Sequence, residues 1–209
     1  MTINSSSVCS FIVAGGLGQR MMLHKSKPLI TVNEKALLQY SIESQIKAGI
    51  EKIYIYYNYI SFKEELVDIT KKFNSAHLKL CADYESTFLV LFNNLPSFAQ
   101  KIMFCYAHAP RPVSHISKIL SSGKDLVVSG YKSSTMRIPI PYLNGIYIEP
   151  PYLIKRELIE RTKCDNWRDF FKENKHCLVI NVDGPSEFNY PDEFINYTKY
   201  LEKMARDEL

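Results

Sequence analysis

The sequence is poor in the features that mark several protein classes. Only eight of its 209 residues are glycine, ten are proline and one is tryptophan, so it is neither collagen-like nor a low-complexity scaffold. No uninterrupted apolar run approaches the roughly 20 residues that span a bilayer. The five cysteines (Cys9, Cys81, Cys105, Cys164, Cys177) are odd in number and never paired as C-x-x-C. Most lie in or beside apolar, strand-like runs, where a free thiol serves as a small core residue. A disulfide framework or structural zinc site is therefore not expected, and a reducing compartment is. The first apolar stretch lacks a basic n-region, so no signal peptide is expected. Arg206-Asp207-Glu208-Leu209 is similar to a retrieval tetrapeptide but reads as a polar helix end, which makes the protein cytoplasmic by default. A dense Lys/Arg stripe is missing too. The 26 basic and 22 acidic side chains give a net charge of +4, spread too thinly for a nucleic-acid footprint yet compatible with a small polyanion.

What is present is an ordinary apolar share of 46% with 23% charged residues, arranged as alternating strands and helices. Strands are expected at Val8–Ala14, Ile53–Tyr57, Leu78–Ala82, Lys101–Ala107, Leu126–Tyr131, Tyr142–Ile148 and Leu178–Val182. Between them run helical faces. Leu38, Ile42 and Ile46 form one that ends at Gly49, and Ser61 and Glu64 have capping-box spacing ahead of Leu66, Ile69 and Phe73. Phe88, Leu91, Phe92 and Leu95 form a third, and Ile116, Ile119 and Leu120 a fourth that ends at Gly123. Further helical pieces carry Leu153, Leu158 and Ile159, then Trp167, Phe170 and Phe171, and a last helix starts near Pro191 with Phe194, Tyr197 and Leu201. The expected fold is α/β: a single-domain, three-layer α/β/α arrangement over residues 1–209, Rossmann-like, with a mostly parallel sheet.

The strongest chemical signal is Ala14-Gly15-Gly16-Leu17-Gly18-Gln19-Arg20, directly after the first strand, with Lys27-Pro28 downstream. Open α/β sheets bind ligands beyond the carboxyl ends of their strands. Glycines let the backbone approach a nucleotide and turn N–H groups toward phosphate. Arg20 and Lys27 add fixed charges suited to a triphosphate. No G-K-[ST] follows, so this is not a P-loop, and the third glycine of G-x-G-x-x-G is missing, so it is not a dinucleotide fingerprint. The alternative is a tight surface turn flanked by basic residues.

This loop resembles the first loop, G-G-x-G-x-R followed by K-P, of nucleotidyltransferases of the GT-A-like fold. Leu37-Leu38-Gln39-Tyr40-Ser41-Ile42-Glu43 and Ala48-Gly49-Ile50 are similar to the family's P-L-L-x-Y-x-I-E … A-G-I, with Ala36 in place of its proline. Ala107-His108-Ala109-Pro110-Arg111-Pro112 resembles the H-D-A-A-R-P of the methylerythritol-phosphate cytidylyltransferase branch and the D-x-P of the molybdenum-cofactor nucleotidyltransferase branch. Asn189-Tyr190-Pro191-Asp192-Glu193-Phe194 resembles the family's N/D-T-P-E-D-L helix start.

The resemblance implies transfer of a nucleoside monophosphate, with Arg111-Pro112 pointing to CMP, from an NTP to a phosphorylated small alcohol or sugar. A phosphate oxygen attacks the α-phosphorus and pyrophosphate leaves, so the partners are a nucleoside triphosphate and a phosphorylated small molecule. Neither nucleic acid nor membrane is implied, and a homodimer is compatible. Ala14, Gly15, Gly16 and Gly18 would cradle the nucleotide, and Ser86 and Thr87 would touch base or ribose, unless they are an ordinary N-cap pair. Arg20 and Lys27 would stabilise developing charge. Arg111 and Lys132 are candidates for the acceptor phosphate, against the reading of both as exposed basic residues.

The chain departs from this pattern at its centre. Both branches carry an aspartate where this chain has His108. The family implies Mg²⁺, which prefers hard oxygen ligands, whereas imidazole suits softer ions such as Mn²⁺. Three roles are open to His108: ligand of another metal, cation on a substrate phosphate, or structural residue in a degenerate site. Glu187 replaces the lysine of the cytidylyltransferase branch. With Asn189 it is a candidate for metal or phosphate, the alternative being a solvated loop acid; Asp183 is a third such candidate. The tyrosines at 54, 56, 57 and 59 read as packing, and His115 and His176 as surface residues. Two function classes follow: a working nucleotidyltransferase, or an inactive homologue that binds nucleotide or a protein partner. A glycosyltransferase is disfavoured by the missing D-x-D.

Overall fold

A computed structural model of the chain describes residues 7–15, 25–58, 62–81, 86–131, 141–143, 145–185 and 187–207. Gly16, Gly18, Arg20, Ser61 and Lys132 lie outside these. In chain order the elements are β1 (Val8–Val13), the hairpin β2 (Thr31–Val32) and β3 (Lys35–Ala36), α1 (Leu37–Lys47), β4 (Ile53–Tyr57), α2 (Lys63–Thr70) and β5 (Ala76–Leu80). There follow α3 (Thr87–Asn93), β6 (Lys101–Tyr106), α4 (Val113–Ser121), β7 (Leu126–Tyr131), β8 (Tyr142–Leu143) and β9 (Ile146–Lys155). The chain continues through α5 (Arg156–Glu160), α6 (Trp167–Glu173), β10 (Leu178–Asn181) and α7 (Pro191–Asp207).

β1 is buried at every position, as its unbroken apolar run requires of a strand covered on both faces. Its side chains alternate between two cores. Val8 and Ile12 join Leu38, Ile42, Leu66, Ile116 and Ile119 on the face of α1, α2 and α4. Cys9, Phe11 and Val13 join Phe88, Leu91, Ile159, Trp167 and Phe170 on the face of α3, α5 and α6. The three-layer α/β/α arrangement follows from that period of two. A third cluster docks α7: Tyr197, Leu201 and Met204 recur at helical spacing and pack with Phe188 against Ile30, Val32, Leu37 and Tyr40. Full burial of side chains of this kind is worth about 1.5–3 kcal/mol each.

The sheet runs β10-β7-β9-β6-β1-β4-β5, with β8 paired to β9. The pairs β1–β4, β1–β6, β4–β5 and β7–β10 are parallel, and β9 is antiparallel to β6, β7 and β8. The sheet is therefore mixed but mostly parallel. Two expectations are corrected. Tyr142–Ile148 is not one strand, because Tyr142 and Leu143 form β8 and pair antiparallel with Tyr147 and Ile146 at the start of β9. Leu153 does not begin a helix; it lies in β9, between β6 and β7, and helix starts only at Arg156. Pro150 and Pro151 suggest a break because proline cannot donate to a ladder. They are accommodated where the β7–β9 register shifts at Val128/Ser129, the kind of irregularity to which strand prolines are confined.

From β1 the chain builds β4 and β5 on one side, then crosses to place β6 on the other. The carboxyl ends of β1 and β6 thus flank a topological switch point, where open α/β sheets form their ligand crevice. No helix among the described residues is long and apolar enough to cross a membrane.

Candidate functional site at the switch point

The two strand ends are tied together. Ala107 N donates to Val13 O at 3.0 Å, Ala14 N to Tyr56 O at 2.8 Å, and Ser41 Oγ to Ala107 O at 3.0 Å. This fixes Ala14 and Gly15 beside the turn that carries His108. Pro110 and Pro112 supply no N–H to extend β6, and Pro112 caps α4.

His108 is 7% exposed. Its ring stacks on Tyr106, with centroids 5.5 Å apart and planes 10° apart, and meets the edge of Phe188 at 5.8 Å. Nε2 lies 2.9 Å from Glu187 Oε2, while Nδ1 is buried with no hydrogen-bond partner among the described residues. Burial, then the nearby Lys27 and Arg111 cations, outweigh Glu187 and lower the His108 pKa. The imidazole is therefore neutral, its Nε2–H donates to Glu187, and Nδ1 carries the lone pair.

Glu187 is no solvated loop acid. Its Oε1 accepts from Asn189 Nδ2 at 3.1 Å and its backbone N–H donates to Glu149 Oε2 at 2.9 Å. Burial pushes the Glu187 carboxyl up, but the hydrogen bond from His108, the charge of Lys27 and the hydrogen bond from Asn189 outweigh it and hold the carboxyl below the usual carboxylate range. With a neutral imidazole, His108 acts on Glu187 as a hydrogen-bond donor rather than as a full charge. Glu149, 3% exposed, moves the other way: burial and then the charge of Glu187 raise it to about 8.

Lys27, in a short 3-10 helix over Lys27–Leu29, is 8% exposed. Nζ donates to Phe188 O and Asn189 Oδ1, both at 2.7 Å, so it anchors the turn that carries Glu187. Glu193 Oε2 accepts from Asn189 N at 2.7 Å and Tyr190 N at 3.2 Å, one half of a capping box that starts α7 after this turn.

Arg111, a candidate for the acceptor phosphate, is one of the most buried side chains, 2% exposed, so the alternative of an exposed basic residue does not hold. Its Nη1 donates to Pro185 O at 2.9 Å, and its guanidinium lies 5.3 Å from the Tyr131 ring and 5.8 Å from the Tyr197 ring. Tyr197 Oη donates to Pro110 O at 2.8 Å. The residue braces the Glu187 turn from beneath. His115 is likewise corrected from the surface to the interior. Its Nε2 lies 2.9 Å from Ser129 Oγ, which itself donates to Pro151 O at 2.9 Å; His176 is exposed.

Ser86 caps α3 by accepting from Phe88 N at 3.2 Å, and Thr87 Oγ1 accepts from Trp167 Nε1 at 2.9 Å. Both hydroxyls therefore have structural partners. Asp183 is exposed. Sequence reasoning missed Glu149, although an acid inside the apolar stretch Ile146–Ile154 was the available signal.

The described residues do not fit a magnesium ion held by the protein. Both Glu187 oxygens are engaged by His108 and Asn189, Asn189 Oδ1 faces the Lys27 ammonium, and Glu149 favours its neutral acid. Among the described residues no group of three His, Cys, Asp or Glu side chains is placed to hold a metal ion.

No protein-family model matches the chain, and no curated sequence matches it. Solved structures do match. A nucleotidyl transferase from Methanothermobacter thermautotroptrophicus superposes with a TM-score of 0.72 at 13% identity, covering 94% of this chain and 98% of that one. The 4-diphosphocytidyl-2C-methyl-D-erythritol synthase of Anaerococcus prevotii gives 0.70 at 12% identity over 95% and 100%. Rv0371C of Mycobacterium tuberculosis, in complex with manganese, gives 0.67 at 13% identity over 92% and 98%. At these identities the likeness is one of fold.

Proposed function

We propose that the protein is a nucleotidyltransferase that moves a nucleoside monophosphate, CMP by preference, from its triphosphate to a phosphorylated small alcohol or sugar and releases pyrophosphate. The supporting observation is the convergence at the β1/β6 switch point of the Gly15 end of the glycine loop, Lys27 and the His108–Glu187 pair. Transfer at phosphorus needs alignment and fixed positive charge more than a nucleophilic side chain. Ala14, Gly15, Gly16 and Gly18 would line the nucleotide, and Arg20 would grip the departing pyrophosphate. Lys27, anchored on Phe188 O and Asn189 Oδ1, would add positive potential and hold the Glu187 turn in place.

The second reading, an inactive nucleotide-binding homologue, is favoured by the way His108 and Glu187 engage each other where the family carries an aspartate. Incubation with each NTP, a panel of sugar and alditol phosphates, and Mg²⁺ or Mn²⁺ separates the two. Pyrophosphate release, greatest with CTP, supports transfer; tight NTP binding with no release under any condition supports the inactive reading.

A further inference from the structure

The His108–Glu187 pair is built for a task that attack by a phosphate dianion does not require. The ring is clamped between Tyr106 and Phe188, so its orientation is set before any ligand arrives. Nε2 is engaged by Glu187 at 2.9 Å, and that bond selects the tautomer in which Nδ1 is the acceptor. Nδ1 lies across the ring from the nitrogen that meets Glu187 and is buried without a hydrogen-bond partner among the described residues, a costly state for a polar atom unless a ligand completes it. A carboxylate hydrogen-bonded to Nε2 also stabilises the imidazolium that forms when Nδ1 takes a proton.

An oxygen that needs this help carries a proton. A phosphate monoester, whose second pKa is about 6, is mostly dianionic at neutral pH and has little for Nδ1 to accept. A hydroxyl has a proton that must leave as its oxygen bonds to phosphorus. From these contacts we infer that His108 is a general base supported by Glu187, and that the group it activates is a hydroxyl of the acceptor. This rests on the nucleotidyl-transfer reading above and changes the attacking atom from a phosphate oxygen to a hydroxyl oxygen. The acceptor O–H proton passes to Nδ1 as the oxygen bonds to the α-phosphorus. The bond from the α-phosphorus to the bridging oxygen breaks, and pyrophosphate leaves with that electron pair. The imidazolium then returns its proton to solvent. The product is a phosphodiester, not a diphosphate diester.

The test is phosphorus NMR of the products from CTP with paired acceptors, each alditol or sugar offered with and without its phosphate. A phosphodiester product is expected. His108→Asn, which cannot accept the proton, should lower kcat roughly a hundred- to ten-thousand-fold with the KM for CTP little changed. Glu187→Gln, which keeps the side chain's size but not its charge, should lower kcat less and also spare KM. Circular dichroism and CTP titration establish that each variant is folded. A diphosphate diester as the product, or His108→Asn at the wild-type rate, overturns the inference while leaving nucleotidyl transfer intact. Absence of both CTP turnover and CTP binding in the wild type overturns both.

Discussion

Glu187 Oε2 stands 2.9 Å from His108 Nε2, although 79 residues of chain separate them. Three anchors produce that meeting. His108 is delivered by β6, one strand from the glycine loop. Glu187 is delivered by a turn held by Lys27 from one side and by Arg111 from the other. The outcome is a neutral imidazole oriented by an ionised carboxylate at the β1/β6 switch point, the kind of place where open α/β sheets bind ligands.

Arg111→Met should destabilise the protein strongly. It removes the donor to Pro185 O and the guanidinium packed against the Tyr131 and Tyr197 rings. A buried acceptor left unsatisfied costs about 1–3 kcal/mol. Urea unfolding should show a lower midpoint at an unchanged slope; an unchanged midpoint would contradict the bracing role.

Glu149→Gln should shift stability with pH. The folded protein holds the Glu149 proton up to about pH 8, against an ordinary value of 4.5. Folding therefore binds a proton between these limits, and wild-type stability falls as pH rises through that window. Glutamine keeps an acceptor for Glu187 N–H and cannot ionise, so the variant should gain on the wild type at pH 9 relative to pH 5. Parallel pH profiles for the two proteins would count against the assignment.

Ser129→Ala strands two buried groups at once, His115 Nε2 and Pro151 O. An unsatisfied buried polar group costs about 1–3 kcal/mol, and a loss in that range should appear in chemical denaturation. A neutral substitution would mean that neither hydrogen bond matters to the fold.

Lys27→Met should loosen the turn at Phe188 and Asn189 without unfolding the core, because its Nζ donates to Phe188 O and Asn189 Oδ1 in that turn. Amide exchange should accelerate at residues 187–190 and stay unchanged in β1. Equal acceleration throughout would contradict a local anchoring role.

Much of the fold was legible because β1, β4, β6, β7 and β10 are apolar runs of strand length and α1 and α7 repeat at helical spacing. β9 was not, because its prolines look like breakers until the register shift opposite them is known. His108 and Glu187 could each be picked out, His108 from the motif it departs from. Their contact could not, since it depends on α7, far from β6 in sequence, docking beside the turn that follows β6. The burial of Arg111 and His115 is not legible in the sequence because burial of a basic side chain is settled by long-range partners, here Pro185, Tyr131, Tyr197 and Ser129.

The most direct test of the central claim is a crystal structure with a non-hydrolysable CTP analogue. The account predicts the triphosphate over Ala14 and Gly15, with the α-phosphorus on the side of the crevice that His108 occupies. A nucleotide bound elsewhere on the molecule, with the β1/β6 crevice empty, would contradict it.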